Sequence, residues 1–96
     1  MRIVWSRQAV DQLEDIHAWI AADNQVAAAR VEADIRRRVE NLAATPFAGR
    51  PGRAKGTREL IARPFIIVYA VLDDTIPIFA IRHGARRWPD QFVAEV

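Results

Sequence analysis

Residues 65–88 read FIIVYAVLDDTIPIFAIRHGARRW, and this stretch decides the fold. The unbroken apolar run Phe65–Leu72 is typical of a central strand that is buried on both of its faces. Asp73–Asp74 supplies turn-forming side chains, and Thr75–His83 predicts a returning strand whose even- and odd-numbered residues face opposite sides. The stretch therefore predicts a β-hairpin that forms the centre of a sheet.

The segments before this hairpin predict two helices and two further strands. Arg2–Trp5 is a short β-type run, and Thr57–Ile61 returns to the alternation of a strand. Apolar residues at helical spacing predict one helix over residues 7–22 and a second helix after the break at Asp23–Asn24. The sequence thus predicts a single α+β domain over residues 1–96, with the order β-α-α-β-β-β and a two-helix hairpin packed on a small, mostly antiparallel sheet.

The composition excludes several classes of function. The chain has 96 residues and no cysteine, so neither a disulfide framework nor a thiolate metal site is available. No paired histidines and no carboxylate cluster have metal-site spacing, and no glycine-rich phosphate loop is present. No apolar run approaches the roughly 18 residues of a membrane span, and the N-terminus lacks a signal-peptide core. We therefore expect a soluble, cytoplasmic protein without a metal ion, a cofactor or a membrane contact.

Positive charge is concentrated in the second half of the chain. Residues 1–45 contain six basic and seven acidic side chains, whereas residues 50–88 contain eight basic and three acidic ones. Residues 45–56, TPFAGRPGRAKG, contain three glycines and two prolines and predict an irregular binding or positioning loop, called here the basic loop. An acidic or polyanionic partner is expected for this half. The residues predicted to contact a partner are Arg50, Arg53, Lys55, Arg58, Arg82, His83, Arg86, Arg87 and Trp88.

The end of the second hairpin strand allows two interpretations. In a ribonuclease-like site, His83 would move a proton while Arg58 or Arg86 stabilised phosphate charge in the transition state. A second acid or base is missing, since His17 lies beside an apolar helix stripe and Tyr69 lies inside the most hydrophobic strand. The other interpretation is a contact surface, because arginine and tryptophan are typical anchors of protein interfaces.

Two runs of residues resemble a known family. GRPGRAKGTREL at 49–60 and FIIVYAVLDDTIPIFAIRHGARRWP at 65–89 resemble the RelE/ParE superfamily of toxins from bacterial toxin–antitoxin modules, also called plasmid stabilisation proteins. The similarity extends over essentially the whole chain. It implies a RelE/ParE-like fold and a cognate antitoxin that neutralises the toxin in a hetero-oligomer. It also implies that promoter DNA is bound only through the antitoxin.

The superfamily divides into two functional branches. RelE-like members are ribosome-dependent mRNA endonucleases that rely on basic residues and a C-terminal tyrosine, whereas here Gly84 follows His83 and no tyrosine follows Tyr69. The His-Gly-Ala-Arg ending is more similar to the ParE branch, whose characterised members inhibit DNA gyrase. The resemblance therefore implies a non-enzymatic gyrase inhibitor with a ParD-like antitoxin. The alternatives are a RelE-like mRNA endonuclease using Arg58, His83 and Arg86, and a non-toxic, antitoxin-bound regulator.

Overall fold

The structure is a computed structural model, and residues 1–84 are described here. The predicted α+β class and the two-helix hairpin are confirmed, but a two-residue strand occurs inside the basic loop, where the sequence predicted no regular element. The elements are β1 (Arg2–Trp5), α1 (Arg7–Ala21), α2 (Gln25–Asn41), β2 (Arg50–Pro51), β3 (Arg58–Ala62), β4 (Phe65–Tyr69) and β5 (Thr75–His83).

The strands form one five-stranded sheet in the order β1-β5-β4-β3-β2. β1 runs parallel to β5, and the other three neighbouring pairs are antiparallel. All five residues of β4 are buried, as its unbroken apolar sequence predicts. The sheet is therefore mostly antiparallel, with the predicted hairpin at its centre.

Each helix begins at a polar side chain that caps its N-terminus. The Ser6 hydroxyl accepts the N–H of Ala9 at 3.0 Å, and the Asn24 side chain accepts the N–H of Ala27 at 2.9 Å. Both helices pack on one face of the sheet and bury the main core there. No helix within residues 1–84 has the length and apolar character that a membrane crossing requires. The most buried core side chains are Leu13, Ile16, Ile35, Val39, Leu42, Ile67, Tyr69, Ile76, Ile78 and Ile81.

A β-bulge at Phe79 breaks the simple alternation predicted for β5. Tyr69 pairs with Ile78, while the preceding Val68 pairs with Ala80, so Phe79 is an extra residue in the strand. The bulge brings Ile81 onto the same helix-covered face as Ile78. The helix α1 stabilises this irregularity, since the Gln12 side chain accepts the N–H of Ile81 at 2.8 Å and Ser6 donates to the Phe79 carbonyl at 3.1 Å.

The other side of the sheet, called here the opposite face, has a smaller core. A cluster of Ile66, Val68 and Ala80 is buried there, with half-buried Ile61 packed against it. The strand register adds two charged residues to this face, because Glu59 lies beside Val68 and Arg82 lies beside Ile66. The opposite face therefore consists of Glu59, Ile61, Ile66, Val68, Ala80 and Arg82.

Candidate functional site

Glu59 is a buried carboxylate on the opposite face and lies between two arginines. Its Oε1 atom is 3.3 Å from Nη2 of Arg50, and its Oε2 atom is 3.1 Å from Nη2 of Arg82. The backbone N–H of Arg53 also donates to Oε2 at 3.3 Å. One carboxylate thus pairs with two guanidinium groups and attaches the basic loop to the sheet.

The environment of Glu59 keeps its side chain ionised at neutral pH. Burial by itself raises the pKa of Glu59, but the Arg53 N–H and the charges of Arg50 and Arg82 outweigh it and hold the pKa below the ordinary 4.5. Arg82 is itself buried on the face, with 8% of its surface exposed. The ion pair is consequently part of the folded core, and Arg82 is not a surface cation.

Arg58 holds the basic loop from the other side of the sheet. Its Nε and Nη2 atoms donate to the carbonyl of Gly49 at 3.0 and 2.6 Å, and Nη2 also donates to the carbonyl of Phe47 at 3.3 Å. The guanidinium carbon lies 5.3 Å from the centroid of the Phe47 ring. Arg58 is the cross-strand neighbour of the helix-facing Tyr69, so it lies on the face away from Glu59.

Tyr69 supplies a third attachment for the basic loop. Its hydroxyl accepts the N–H of Gly49 at 2.9 Å and donates to the carbonyl of Pro46 at 2.8 Å. A Cβ atom on Gly49 would lie 2.7 Å from this hydroxyl and 2.8 Å from the carbonyl oxygen of Glu59. Only glycine allows this close approach of loop and strand. The loop is therefore held in one conformation by three side chains of the sheet.

The tip of the basic loop closes on itself and exposes two cations. Gly52 donates its N–H to the carbonyl of Thr57 at 2.8 Å, and the N–H of Thr57 donates to the carbonyl of Ala54 at 3.1 Å. Arg53 and Lys55 are exposed between these contacts, and neither side chain has an acidic partner within residues 1–84. Positive charge is thus presented on a fixed backbone.

An apolar groove of about 340 Å³ lies next to this loop tip. Val68 and Ala80 of the opposite face line it together with the bulge residue Phe79, while Ala54 of the loop and Ser6 at the start of α1 line its sides. The bulge leaves 39% of Phe79 exposed. An apolar floor beside fixed cations suits a partner segment that carries both apolar and acidic groups.

The structure does not bring together Arg58 and His83, which the nuclease interpretation requires. Arg58 lies level with Tyr69 at one end of the central strands, whereas His83 lies level with Phe65 at the other end, a separation of about 13 Å along the strands. The His83 ring packs edge-to-face on Phe65 with 5.4 Å between the ring centroids. The third predicted residue, Arg86, lies outside the described residues.

The predicted contact residues therefore fall into separate groups. Arg50, Arg53 and Lys55 lie together in the basic loop, and Arg50 shares the carboxylate of Glu59 with Arg82. Arg58 faces the helix side, and His83 lies at the far end of β5. Within residues 1–84, no group of three or more His, Cys, Asp or Glu side chains has a geometry that would hold a metal ion. The residues Arg86, Arg87 and Trp88 lie outside the described part of the chain.

Sequence reasoning missed three residues that shape this site. Glu59 is the only acidic residue between Arg50 and Leu72. A single acidic residue among several basic ones could have predicted that Glu59 forms an ion pair. Tyr69 was assigned to the core without a role for its hydroxyl. No sequence signal identifies Phe79 as a bulge, because its exposure depends on the register between β4 and β5.

The comparison with protein families and with known proteins agrees with this fold. The model of the ParE toxin of the type II toxin–antitoxin system parDE matches residues 3–88. The "Putative toxin Y4kP" of Sinorhizobium fredii is 43% identical over 90 residues, which cover 92% of this chain and 93% of that protein. The toxin RelE2 of Caulobacter vibrioides is 31% identical over 85 residues, which cover 88% of this chain and 97% of that toxin.

A solved structure supports the same assignment. A chain of the chromosomal ParDE toxin–antitoxin system from P. aeruginosa superposes with a TM-score of 0.75 at 30% sequence identity, covering 86% of this chain and 95% of that chain. The predicted RelE/ParE-like α+β fold is confirmed by this likeness. The chain therefore belongs to the ParE toxin family of type II toxin–antitoxin systems.

Proposed function

We propose that this toxin is a non-enzymatic inhibitor of DNA gyrase that a ParD-like antitoxin silences in a hetero-oligomeric complex. Membership in the ParE family and the likeness to a ParDE system support the antitoxin partner. The sequence resemblance to the gyrase-inhibiting branch supports the target. Gyrase acts on chromosomal and plasmid DNA, so the proposed site of action is the cytoplasm, and such a module would stabilise a plasmid that carries it.

The observation that carries the proposal is that Arg58, the arginine of the nuclease interpretation that lies within residues 1–84, is already bonded to loop carbonyls. An mRNA endonuclease needs cations that are able to contact phosphate and an acid–base pair that is able to exchange protons. Instead, Arg58 is bonded to loop carbonyls, and buried Arg82 is paired with Glu59. The Tyr69 hydroxyl is likewise bonded to Gly49 and Pro46. These side chains build the scaffold of a binding surface.

The proposed gyrase contact is the tip of the basic loop together with the groove beside it. Arg53 and Lys55 are exposed there, and Phe79 offers apolar area next to them. Because the loop is held by Arg58, Glu59 and Tyr69, binding would cost little conformational entropy. A preorganised surface of this kind suits recognition of a large partner without a chemical step.

A supercoiling assay tests the proposed target. Purified toxin, separated from its antitoxin, is expected to block gyrase supercoiling or to trap cleaved DNA. An Arg53→Gln/Lys55→Gln double variant should weaken the inhibition about tenfold or more, because it removes both cations of the loop tip. The matched control is Arg63→Gln, which removes an exposed arginine at the other end of the sheet, without an acidic partner within residues 1–84, and should leave the inhibition unchanged.

A second candidate is a RelE-like mRNA endonuclease, which the likeness to a toxin named RelE2 favours. Toxin that leaves gyrase active but cleaves mRNA on translating ribosomes would contradict the first proposal and support this one. His83→Ala then separates two roles of the imidazole. Loss of toxicity with normal antitoxin binding indicates catalysis, whereas a lower melting temperature indicates packing on Phe65. Normal growth after expression without antitoxin would indicate a non-toxic regulator instead.

A further inference from the structure

A second pocket, of about 140 Å³, lies between α2 and the turn that joins β3 to β4. Its floor is apolar and contains the buried side chains of Ile35, Ala62 and Phe65. Two exposed arginines, Arg30 from α2 and Arg63 from the turn, also line it. The pocket thus combines a hydrophobic interior with two positive charges at its opening.

The arginines of α2 differ in whether they have an acidic partner. Arg30 forms no ion pair within residues 1–84, and the same holds for Arg63 across the pocket. Asp34 also lines the pocket, but its carboxylate pairs with two other arginines of α2. It therefore forms no ion pair with Arg30 or Arg63. The three paired arginines of α2 are Arg36 with Glu32, and Arg37 and Arg38 with Asp34.

The chemistry that matches this pocket is a carboxylate at the end of an apolar stem. Guanidinium groups bind carboxylates through paired, charge-assisted hydrogen bonds, and the apolar floor suits the methylene groups of a glutamate side chain. The volume of about 140 Å³ is well below that of a typical small-molecule site, which is roughly 300–1,000 Å³. The pocket therefore fits one side chain of a larger partner.

The neighbouring sheet edge indicates how that partner would lie. β2 pairs only with Arg58 and Glu59, so the remaining residues of β3, Leu60–Ala62, pair with β4 on one side and have no strand on their outer side in the described part of the chain. An unpaired edge of this kind accepts an extended protein segment through backbone hydrogen bonds. Ala62 belongs both to this edge and to the pocket floor, so a segment pairing there would place a side chain at the opening.

We propose that the pocket between Arg30 and Arg63 anchors an acidic side chain of an extended antitoxin segment that runs along the open edge of β3. The inference rests on the proposed function, because it assigns the antitoxin to this end of the sheet. Gyrase is assigned to the basic loop at the other end. The two partners then have separate charged anchors, and their binding is separable by mutation.

The test uses the product of the reading frame beside the gene as the candidate antitoxin and measures its binding to purified toxin variants. Arg30→Gln and Arg63→Gln should each raise Kd about tenfold, mainly through faster dissociation, because each removes a charge from a partly desolvated contact. The matched control, Arg53→Gln, removes another exposed arginine, from the basic loop, and should change Kd less than about threefold. All three positions are exposed, so melting temperatures should match the wild type.

Two further variants separate the pocket from net charge. Val31→Phe fills the pocket from α2 without changing a charge, and it should weaken antitoxin binding as strongly as Arg30→Gln. Arg30→Glu should weaken binding further, and replacing one acidic residue of the antitoxin with arginine should restore it. Such a rescue would identify the anchored side chain through the coupling of the two positions.

Three outcomes would overturn the inference. Unchanged antitoxin affinity in the Arg30→Gln/Arg63→Gln double variant would show that the pocket does not anchor the antitoxin. The proposed function would stand, because wild-type toxin would still bind the antitoxin. An equal loss in Arg53→Gln would show that net charge alone governs binding. If wild-type toxin neither binds the neighbouring gene product nor inhibits gyrase, the inference and the proposed function fail together.

Discussion

The surroundings of Glu59 and the turn that joins β3 to β4 use arginine in opposite ways. Around Glu59, Arg58 is bonded to loop carbonyls, and Arg50 and Arg82 share the carboxylate. In the turn, Arg63 is exposed and has no acidic partner within residues 1–84. The arginines around Glu59 hold the basic loop and the sheet together, whereas Arg63 is available to a partner. A count of basic residues therefore overstates the contact surface of this protein.

The largest expected effect is the loss of the Glu59 carboxylate. Glu59→Gln should lower the free energy of unfolding by about 3 kcal/mol, because it leaves buried Arg82 without a counter-charge. Urea denaturation measures the change. Glu40→Gln on the exposed side of α2 is the control and should stay within about 0.5 kcal/mol of wild type. A similar stability for Glu59→Gln and Glu40→Gln would show that the arginines around Glu59 do not depend on its carboxylate.

A smaller loss of stability is expected when Arg58, which holds the basic loop, is replaced. Arg58→Gln should lower the free energy of unfolding by about 2 kcal/mol, since the carbonyls of Gly49 and Phe47 lose a charged donor. Hydrogen exchange at the Gly49 amide should also become faster as the loop opens. Arg53→Gln serves as the control in the same loop. Equal exchange rates in the two variants would show that Arg58 does not hold the loop.

The pH dependence of stability sharpens the role of Glu59. Because Arg53, Arg50 and Arg82 lower its pKa in the folded chain, Glu59 stabilises the fold fully above its ordinary pKa of 4.5. That contribution is lost as pH falls through the lowered folded pKa. Wild-type stability should therefore decrease on acidification below pH 4.5 more steeply than that of Glu59→Gln. Parallel curves in an acid titration of unfolding would argue against a lowered pKa.

The smallest effect on stability is expected at the loop tip. The Arg53→Gln/Lys55→Gln double variant should change the free energy of unfolding by less than about 0.5 kcal/mol, since both side chains are exposed and unpaired within residues 1–84. Thermal unfolding of the double variant and of wild type measures this directly. A clear destabilisation would mean that these cations also support the loop, and the distinction between positioning and contact arginines would then fail.

The strand hairpin and both helices could be predicted because their signals are local. The apolar run of β4, the alternation of β3 and the helical spacing of apolar residues in α1 and α2 are each visible within a few residues. The β2 strand was missed because Arg50–Pro51 becomes a strand only by pairing with β3. The bulge at Phe79 was missed for a similar reason, since the polar atoms that satisfy it come from α1.

The sequence by itself determined the α+β class, the order of the main elements and the excess of positive charge in the second half. These properties follow from periodicity and composition, which act over short distances along the chain. Only the tertiary structure decided which cations are available, because Glu59 reaches Arg82 across 23 positions of sequence and Tyr69 reaches Pro46 across another 23. Charge and hydrogen-bond compensation depend on distance in space, so the same residue type became part of the scaffold at one position and an exposed cation at another.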